Sequence, residues 1–341
     1  MLLNEYIDKA KFSFLNKYKL RKVTSNIEPL LIKKISDITS NKERIFDKLF
    51  NKHGFFIYCL DNAIDFSDSS KRHVSLKIIK ALSNESIQLT KVSYPYEKEQ
   101  EFFDGTTKIK NSQKIDSKAM TSQYMEYHQD GLGNGGEIDV IVLHCDSSSS
   151  FGGQNGLVDG IKLFKHLYDV YGEKTNCLFE PDAITIIRRG SRKSLKTVGP
   201  VFYTNYDGKP SINFKYPDEK HDVFYSKSCE KIIPSISKWI KTDSNHIKFL
   251  LRDNYGIIIN NREILHCRYP FLEKFEKQRL LSRSWYTTGN KIDSYGYYPG
   301  LFIGDSLMNL LHEEHDLKKV DGYYRYDRQT NRNIKITKVW K

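Results

Sequence analysis

His128 and Asp130 lie two residues apart in the segment YMEYHQDGLGNGG. In an extended chain, side chains at positions i and i+2 point to the same face. An imidazole and a carboxylate on one face are suited to bind a single metal ion placed above it. This pair alone is a weak signal, because H-x-D occurs often by chance.

A second histidine would complete a metal site, and the candidate is His266. It lies in YGIIINNREILHCRYPF, where a hydrophobic strand ends in a polar turn and a new strand follows. Two histidines and one carboxylate on one octahedral face leave three positions open, which is the pattern of non-haem Fe(II) oxygenases. We therefore interpret His128, Asp130 and His266 as candidate Fe(II) ligands.

Arg279 and Arg283 follow in the strand-like segment QRLLSRSWY. Their even spacing predicts that both guanidinium groups lie on one face of a sheet. A guanidinium binds a carboxylate through two parallel, charge-assisted hydrogen bonds. A dicarboxylate that chelates iron at one end needs such a partner at its other end.

In this order the motifs resemble those of the TauD/TfdA-type Fe(II)/2-oxoglutarate-dependent dioxygenases, which include the clavaminate-synthase-like amino-acid hydroxylases. His128-x-Asp130 is followed by the Gly-Gly stretch FGGQNGLVDG at 151–160, by NNREILHCR around His266, and by R-x-x-x-R. The resemblance covers roughly residues 45–290. It implies a mainly β fold with flanking helices (α+β), built on a double-stranded β-helix (jelly roll) core.

The resemblance also implies roles for individual residues. Arg279 would bind the distal carboxylate of 2-oxoglutarate, and Arg283 would face the substrate, often contacting a carboxylate or sulfonate. Asn155 stands where the family usually has a threonine that assists 2-oxoglutarate binding. Related halogenases have Gly or Ala in place of the carboxylate ligand, so Asp130 favours hydroxylation over halogenation.

The implied chemistry uses Fe(II), 2-oxoglutarate and O2, and releases succinate and CO2. Hydroxylation of an unactivated C–H bond is the default outcome, with desaturation or cyclisation of a natural-product intermediate as alternatives at the same site.

Acidic residues suggest the kind of substrate. Glu126 precedes His128 by two residues, so we expect it on the same face, where it would pair with a substrate ammonium. Asp218, Glu219 and Asp222 lie in KYPDEKHD, about where related amino-acid hydroxylases carry lid carboxylates for a basic side chain. The expected substrate is a small amino-acid-like molecule, basic ones included, either free or attached to a carrier protein.

Along the chain we predict one domain over residues 1–341. Residues 1–50, including PLLIKKISDI, are expected to be helical, and residues 51–300 to form the oxygenase core. Lid loops are predicted near 92–123 and 215–228, and helical insertions at 158–171 and 229–251. Residues 301–341 are expected to form a C-terminal helix and a basic arm.

The net charge of +12 does not favour a nucleic-acid substrate. Residues 1–50 carry 11 Lys/Arg against 6 Asp/Glu, and residues 317–341 carry 8 against 2, so the two ends hold almost all of the excess. A nucleic-acid enzyme is expected to carry its basic surface beside its active site. An AlkB-like nucleic-acid dealkylase remains a rival, although QRLLSRSWY lacks that family's longer R-x-N-x-T-x-R signature.

A non-enzymatic β-barrel binding protein is the second rival. The five cysteines include no C-x-x-C pair, which fits a reducing compartment and predicts a cytoplasmic protein. The sequence contains no run of about 18 apolar residues, so it predicts no membrane-spanning helix. The sequence does not indicate an oligomeric state.

Overall fold

The computed structural model describes residues 3–21, 28–61, 78–79, 89–92, 106–111, 118–132, 138–189, 195–204, 208–288, 302–303, 323–327 and 332–336. Its principal α-helices are α1 (Leu3–Leu20), α2 (Ile35–Ser40), α3 (Lys42–Phe46), α4 (Gly160–Tyr171) and α5 (Ile233–Lys241). A π-helical turn (Asp47–Lys52) continues α3, and 3-10 helices span Lys118–Met120, Gly172–Phe179 and Asp243–Asn245.

The strands, in chain order, are β1 (Leu30–Ile32), β2 (Phe55–Leu60), β3 (Leu89–Val92), β4 (Thr107–Lys110), β5 (Met125–His128), β6 (Val140–Ser147), β7 (Phe151–Gly152), β8 (Asn155–Asp159), β9 (Ile184–Arg188), β10 (Leu195–Gly199), β11 (Phe202–Thr204), β12 (Pro210–Ile212), β13 (His221–Tyr225), β14 (His246–Phe249), β15 (Tyr255–Asn260), β16 (Ile264–Arg268), β17 (Phe271–Leu272), β18 (Leu280–Thr288), β19 (Phe302–Ile303), β20 (Tyr323–Asp327) and β21 (Arg332–Ile336).

The largest sheet has the order β1-β2-β15-β6-β18-β3, with β4 also paired to β18. Its central strands β2, β15 and β6 are largely buried on both faces, and their alternate residues enter two different cores. On β15, Ile257 and Ile259 belong to the inner core, while Ile258 packs in the outer core with Tyr58 and Val142. The outer core is covered by α2, α3 and the π-helical turn, which contribute residues such as Ile38, Ile45 and Leu49.

A second sheet of order β14-β8-β16-β5 faces the first across the inner core. Leu157 on β8 and Ile264 on β16 belong to that inner core. The alternate residues, Val158 and Leu265, belong to a third core on the outer face of this sheet, which also contains residues of α1, α4 and α5. A four-stranded sheet, β13-β9-β10-β19, contributes to this third core through β9 residues Ile184 and Ile186.

Helix α4 begins where Asp159, at the end of β8, accepts a hydrogen bond from the Ile161 backbone N–H at 2.9 Å. The same carboxylate binds Arg21, which follows α1 and also pairs with buried Glu263. This buried network joins α1 to the turn that leads into β16. The N-terminal helix is therefore fixed to the strand that carries His266.

The mainly β character with flanking helices is confirmed, but two local predictions are wrong. Residues 29–38 are not one helix, since Leu30–Ile32 form a strand parallel to β2. The helix predicted over 229–251 spans only Ile233–Lys241, and His246–Phe249 pair with β8 instead. In both cases sheet pairing outweighs a helical spacing of apolar residues.

The two predicted lid loops contain strands where they are described. Thr107–Lys110 pair with β18, and His221–Tyr225 pair with β9. The predicted C-terminal helix lies largely outside the described residues, whereas the basic arm contains the hairpin of β20 and β21. Within the described part of the chain, no helix is long and apolar enough to cross a membrane.

Candidate active site

His128 and His266 lie side by side on neighbouring strands. β16 pairs antiparallel with both β5 and β8, so that His266 stands opposite His128 on one side and Leu157 on the other. Residues directly opposite each other in an antiparallel pair project from the same face. Because Leu157 belongs to the inner core, both imidazoles point into the space between the two sheets.

Asp130 completes the group just after β5. Its Oδ1 is 3.3 Å from His128 Nε2 and 3.6 Å from His266 Nε2, and the three side chains are buried. Ligand atoms of the three residues all lie within 4.8 Å of one another. The structure therefore brings together the three residues that the sequence singled out.

The other oxygen of Asp130 is anchored by the opposite sheet. Trp285 Nε1 donates a hydrogen bond to Oδ2 at 2.7 Å, and Arg283 Nη1 lies 3.4 Å from the same atom. Arg283 also stacks on the Trp285 ring, 4.0 Å from its centroid. Oδ1 thus faces the histidines, while Oδ2 is bound to β18.

The backbone of Asp130 is held by Asn261. The Asn261 side chain accepts a hydrogen bond from the Asp130 N–H at 3.1 Å and donates to the Asp130 carbonyl at 3.0 Å. Gln129 donates to the Asn261 carbonyl and accepts from the Phe214 N–H. These bonds fix the turn after β5, and so the direction of the carboxylate.

The protonation states suit a metal site. Burial lowers the pKa of His128 to about 4, and the nearby charges of His266 and Lys215 act in the same direction. Burial raises the pKa of Asp130, but the charge of Arg283 and the hydrogen bonds from both histidines outweigh it and hold that pKa well below its ordinary value. Near neutral pH the group therefore presents a carboxylate and a neutral imidazole at His128.

Arg279 is a buried cation whose guanidinium has no hydrogen-bond acceptor among the described residues. Burial lowers its pKa to about 10, an effect that Cys145 and Glu273 partly oppose. It stacks on Phe271 at 5.0 Å, and Arg268 lies 5.1 Å from the same ring. An unpaired buried guanidinium is costly, so this position favours a bound carboxylate.

Asn155 lies beside this arginine pair. Asn155 is buried and stands opposite Arg268 in the β16–β8 ladder. This pair lies two residues along the strands from the pair formed by Leu157 and His266. Asn155 therefore occupies the same inner face as the two histidines.

Glu126 does not keep the simple alternation that placed it beside His128. The register shifts between His266 and Arg268, so that Met125, and not Glu126, stands opposite Arg268. The charge of Glu126 adds to the burial that raises the pKa of Tyr124 and Tyr216. The bulge thus removes the ground for expecting Glu126 at the metal.

The other three acids are engaged or exposed. Asp218 binds Lys215 and His221, each at 2.8 Å, and Asp222 forms a forked ion pair with Arg189. Glu219 is exposed. Both paired acids therefore already have cations from this chain.

The geometry agrees with a family-level comparison of the sequence. Residues 22–285 match the family described as "Taurine catabolism dioxygenase TauD, TfdA family". The chain belongs to this family. The predicted family, and with it the assignment to a class of dioxygenases, is confirmed.

Individual relatives of this TauD/TfdA protein are distant. A curated uridine-5′-phosphate dioxygenase from a Streptomyces species is 24% identical over 188 residues, which cover 50% of this chain and 64% of that protein. The match therefore spans less than two thirds of the relative.

Two solved structures share the fold. The non-heme iron oxygenase OrfP in complex with Fe and alpha-ketoglutaric acid has a TM-score of 0.54 and 13% identity, covering 77% of this chain and 94% of that one. Asparagine oxygenase in complex with Fe(II), 2S,3S-3-hydroxyasparagine and succinate has a TM-score of 0.53 and 12% identity, covering 74% and 79%.

The residues of this TauD/TfdA chain fit a ferrous ion. Two imidazoles and one carboxylate, with Nε2 and Oδ1 atoms converging, form a donor set suited to Fe(II) with open positions. The buried Nδ1 of His266 has no hydrogen-bond partner among the described residues, whereas His128 Nδ1 is 2.7 Å from the Glu126 carbonyl. That bond fixes the His128 ring with Nε2 directed at the site.

Sequence reasoning missed three residues here: Trp285, Asn261 and Lys215. The spacing of Trp285, two residues after Arg283, already indicated the same sheet face. Asn261 and Lys215 had no such signal, because Asn261 reaches the site through side-chain hydrogen bonds and Lys215 through a bridge to His128, and both contacts depend on the tertiary fold.

Proposed function

We propose that His128, Asp130 and His266 hold Fe(II) and that the protein is a 2-oxoglutarate-dependent oxygenase. The observation that carries this proposal is the convergence of His128 Nε2, His266 Nε2 and Asp130 Oδ1 on the inner face of a family-typical fold. When bound, iron and 2-oxoglutarate would activate O2 for oxidation of a C–H bond, with release of succinate and CO2. We further propose that the two facing sheets form a double-stranded β-helix.

Arg279 is the proposed partner of the distal carboxylate of 2-oxoglutarate. Its guanidinium is buried, stacks on Phe271 and forms no ion pair with a carboxylate among the described residues. Asn155 lies on the same face and is proposed to donate a hydrogen bond to the co-substrate. The chain's own contribution is thus to hold both ends of a dicarboxylate and to keep water from its buried end.

The proposed substrate is a small amino-acid-like molecule, and hydroxylation is the proposed outcome. The solved relatives were crystallised with hydroxyasparagine or hydroxylated arginine. Arg283, next to Asp130 on the inner face of β18, is the proposed contact for a substrate carboxylate. Desaturation and cyclisation remain alternatives, and product mass separates them, since one oxygen is gained or two hydrogens are lost.

A nucleotide is the second candidate substrate, because the curated relative is named a uridine-5′-phosphate dioxygenase.

The five cysteines are free thiols in the structure, which supports the proposal that the protein works in a reducing compartment such as the cytoplasm.

Succinate formation tests the proposed function. Purified protein is incubated in air with Fe(II), ascorbate and 2-oxoglutarate, with and without members of an amino-acid and nucleotide panel. We expect at least one compound to stimulate succinate formation and to gain an oxygen atom. If the rate of succinate formation is the same with every compound of the panel, the proposed substrate class is refuted. If no succinate forms under any condition, the proposed use of 2-oxoglutarate is refuted.

A further inference from the structure

Lys215 extends the row of site residues across the second sheet. An antiparallel bridge pairs Lys215 with His128, so the row runs Leu157, His266, His128 and Lys215. Residues opposite each other across an antiparallel pair share a face. The neighbours of Lys215 in sequence, Phe214 and Tyr216, pack in the third core, on the outer face of this sheet, as this alternation requires. The Lys215 side chain therefore points toward the metal-binding face.

Asp218 holds the Lys215 ammonium in place. Its Oδ2 is 2.8 Å from Lys215 Nζ, and its Oδ1 accepts hydrogen bonds from His221 Nδ1 at 2.8 Å and from the backbone N–H groups of Lys220 and His221. Burial opposes the charged form of Asp218, but the bonds from His221 and Lys215 hold its pKa below its ordinary value. This carboxylate is saturated from within the chain.

The Lys215 ammonium, in contrast, has more N–H donors than Asp218 can accept from. A lysine ammonium has three N–H groups, and Asp218 is its only acceptor among the described residues. The Lys215 side chain is 12% exposed, so most of it is enclosed beside His128. A substrate with a cationic side chain at this position would meet a like charge.

The co-substrate arginine lies in a different direction. Arg268, which shares the Phe271 ring with Arg279, is reached by moving two residues along β16 from His266. Lys215 is reached by moving across β5 from His128. One cation thus lies beyond His266 along the strand, and the other lies beyond His128 across the sheet.

We propose that Lys215, positioned by Asp218, binds an anionic group of the primary substrate, a carboxylate or a phosphate. The proposal rests on the proposed function and replaces the expectation that Asp218 binds a basic side chain. It makes Lys215 a specificity-determining residue for the organic substrate and gives it no part in binding 2-oxoglutarate.

The test compares matched neutral and anionic compounds in a binding assay without turnover. The protein is loaded anaerobically with Fe(II) and 2-oxoglutarate, and the shift of its weak visible absorption band is followed as compounds are added. The pairs are asparagine with aspartate, and uridine with uridine 5′-monophosphate, so that a carboxylate and a phosphate are tested separately. Arginine represents the basic class.

Three variants complete the design. Lys215→Gln removes the charge, Lys215→Arg keeps it, and Lys227→Gln removes an exposed lysine of a nearby segment as the matched control. Thermal melts establish that each variant is folded. Loss of one charge-assisted hydrogen bond predicts a loss of affinity of about tenfold to a hundredfold.

We expect the anionic member of at least one pair to bind more tightly than its neutral partner. Lys215→Gln should abolish that preference without changing the 2-oxoglutarate concentration that half-saturates the band, and the other two variants should retain it. Three results would overturn the proposal: preference for arginine, no response to any anionic compound, or weaker 2-oxoglutarate binding in Lys215→Gln. A wild-type protein that forms no band would instead refute the iron site on which the proposal rests.

Discussion

A substitution of Trp285 tests how the Asp130 carboxylate is held in place. Its indole N–H donates to Asp130 Oδ2 at 2.7 Å, on the oxygen turned away from the histidines. Trp285→Phe keeps an aromatic ring in the inner core but removes this donor. A hydrogen bond to a charged group contributes about 1.5–3 kcal/mol, and loss of such supporting partners typically costs about tenfold to a hundredfold in metal affinity.

The assay is an anaerobic Fe(II) titration at saturating 2-oxoglutarate, followed by the visible band. We expect Trp285→Phe to bind iron about tenfold to a hundredfold more weakly than the wild type, because Asp130 keeps only the longer Arg283 contact at Oδ2. Trp239→Phe, on α5 and packed against the third core on the outer face of the second sheet, is the matched control and should bind iron normally. Wild-type affinity in Trp285→Phe would refute the role assigned to this hydrogen bond.

Three further predictions concern the co-substrate, the fold and pH. Arg279→Gln should raise the KM for 2-oxoglutarate by about a hundredfold, since a buried guanidinium–carboxylate pair is lost; an unchanged KM in steady-state assays would place the co-substrate elsewhere. Glu263→Gln should lower the free energy of unfolding by about 3–5 kcal/mol in urea titrations, because it leaves Arg21 buried with one charged partner fewer, and a loss under about 1 kcal/mol would contradict this. In metal-free protein the free energy of unfolding should fall by up to about 3 kcal/mol from pH 6.5 to 4, because the unfolded chain protonates His128 there and the folded protein does not. Urea titrations across that range in the wild type and in His128→Asn should show the slope reduced in the variant, and equal slopes would count against the burial of a neutral His128.

The residues of the site could be predicted where the local spacing of residues indicates which side chains lie close together. The H-x-D spacing brings Asp130, in the turn just after β5, beside His128, and the R-x-x-x-R spacing puts Arg279 just before β18 and Arg283 within it. His266 follows a turn that the sequence also shows. At Glu126 the alternation is interrupted by a bulge between His266 and Arg268, and no residue pattern announced that bulge. Local periodicity therefore predicts a face only as far as the strand stays regular.

Strand pairing between distant segments could not be predicted either, because local spacing does not identify the partner strand. Residues 30–32 and 246–249 join sheets through partners at 58–60 and 155–158, although their own apolar spacing is compatible with a helix. Lys215 likewise reaches His128 through a bridge across 87 positions of the chain. Such contacts depend on the whole topology and not on local propensity.

The binding of iron by His128, Asp130 and His266 is the central claim, and stoichiometric titration tests it most directly. Anaerobic addition of Fe(II) to protein with excess 2-oxoglutarate should produce the visible band up to one equivalent. The band should be lost in His266→Ala and retained in His166→Ala, which removes an exposed histidine of α4. A band of equal strength in His266→Ala, or no band in the wild type, would contradict the account.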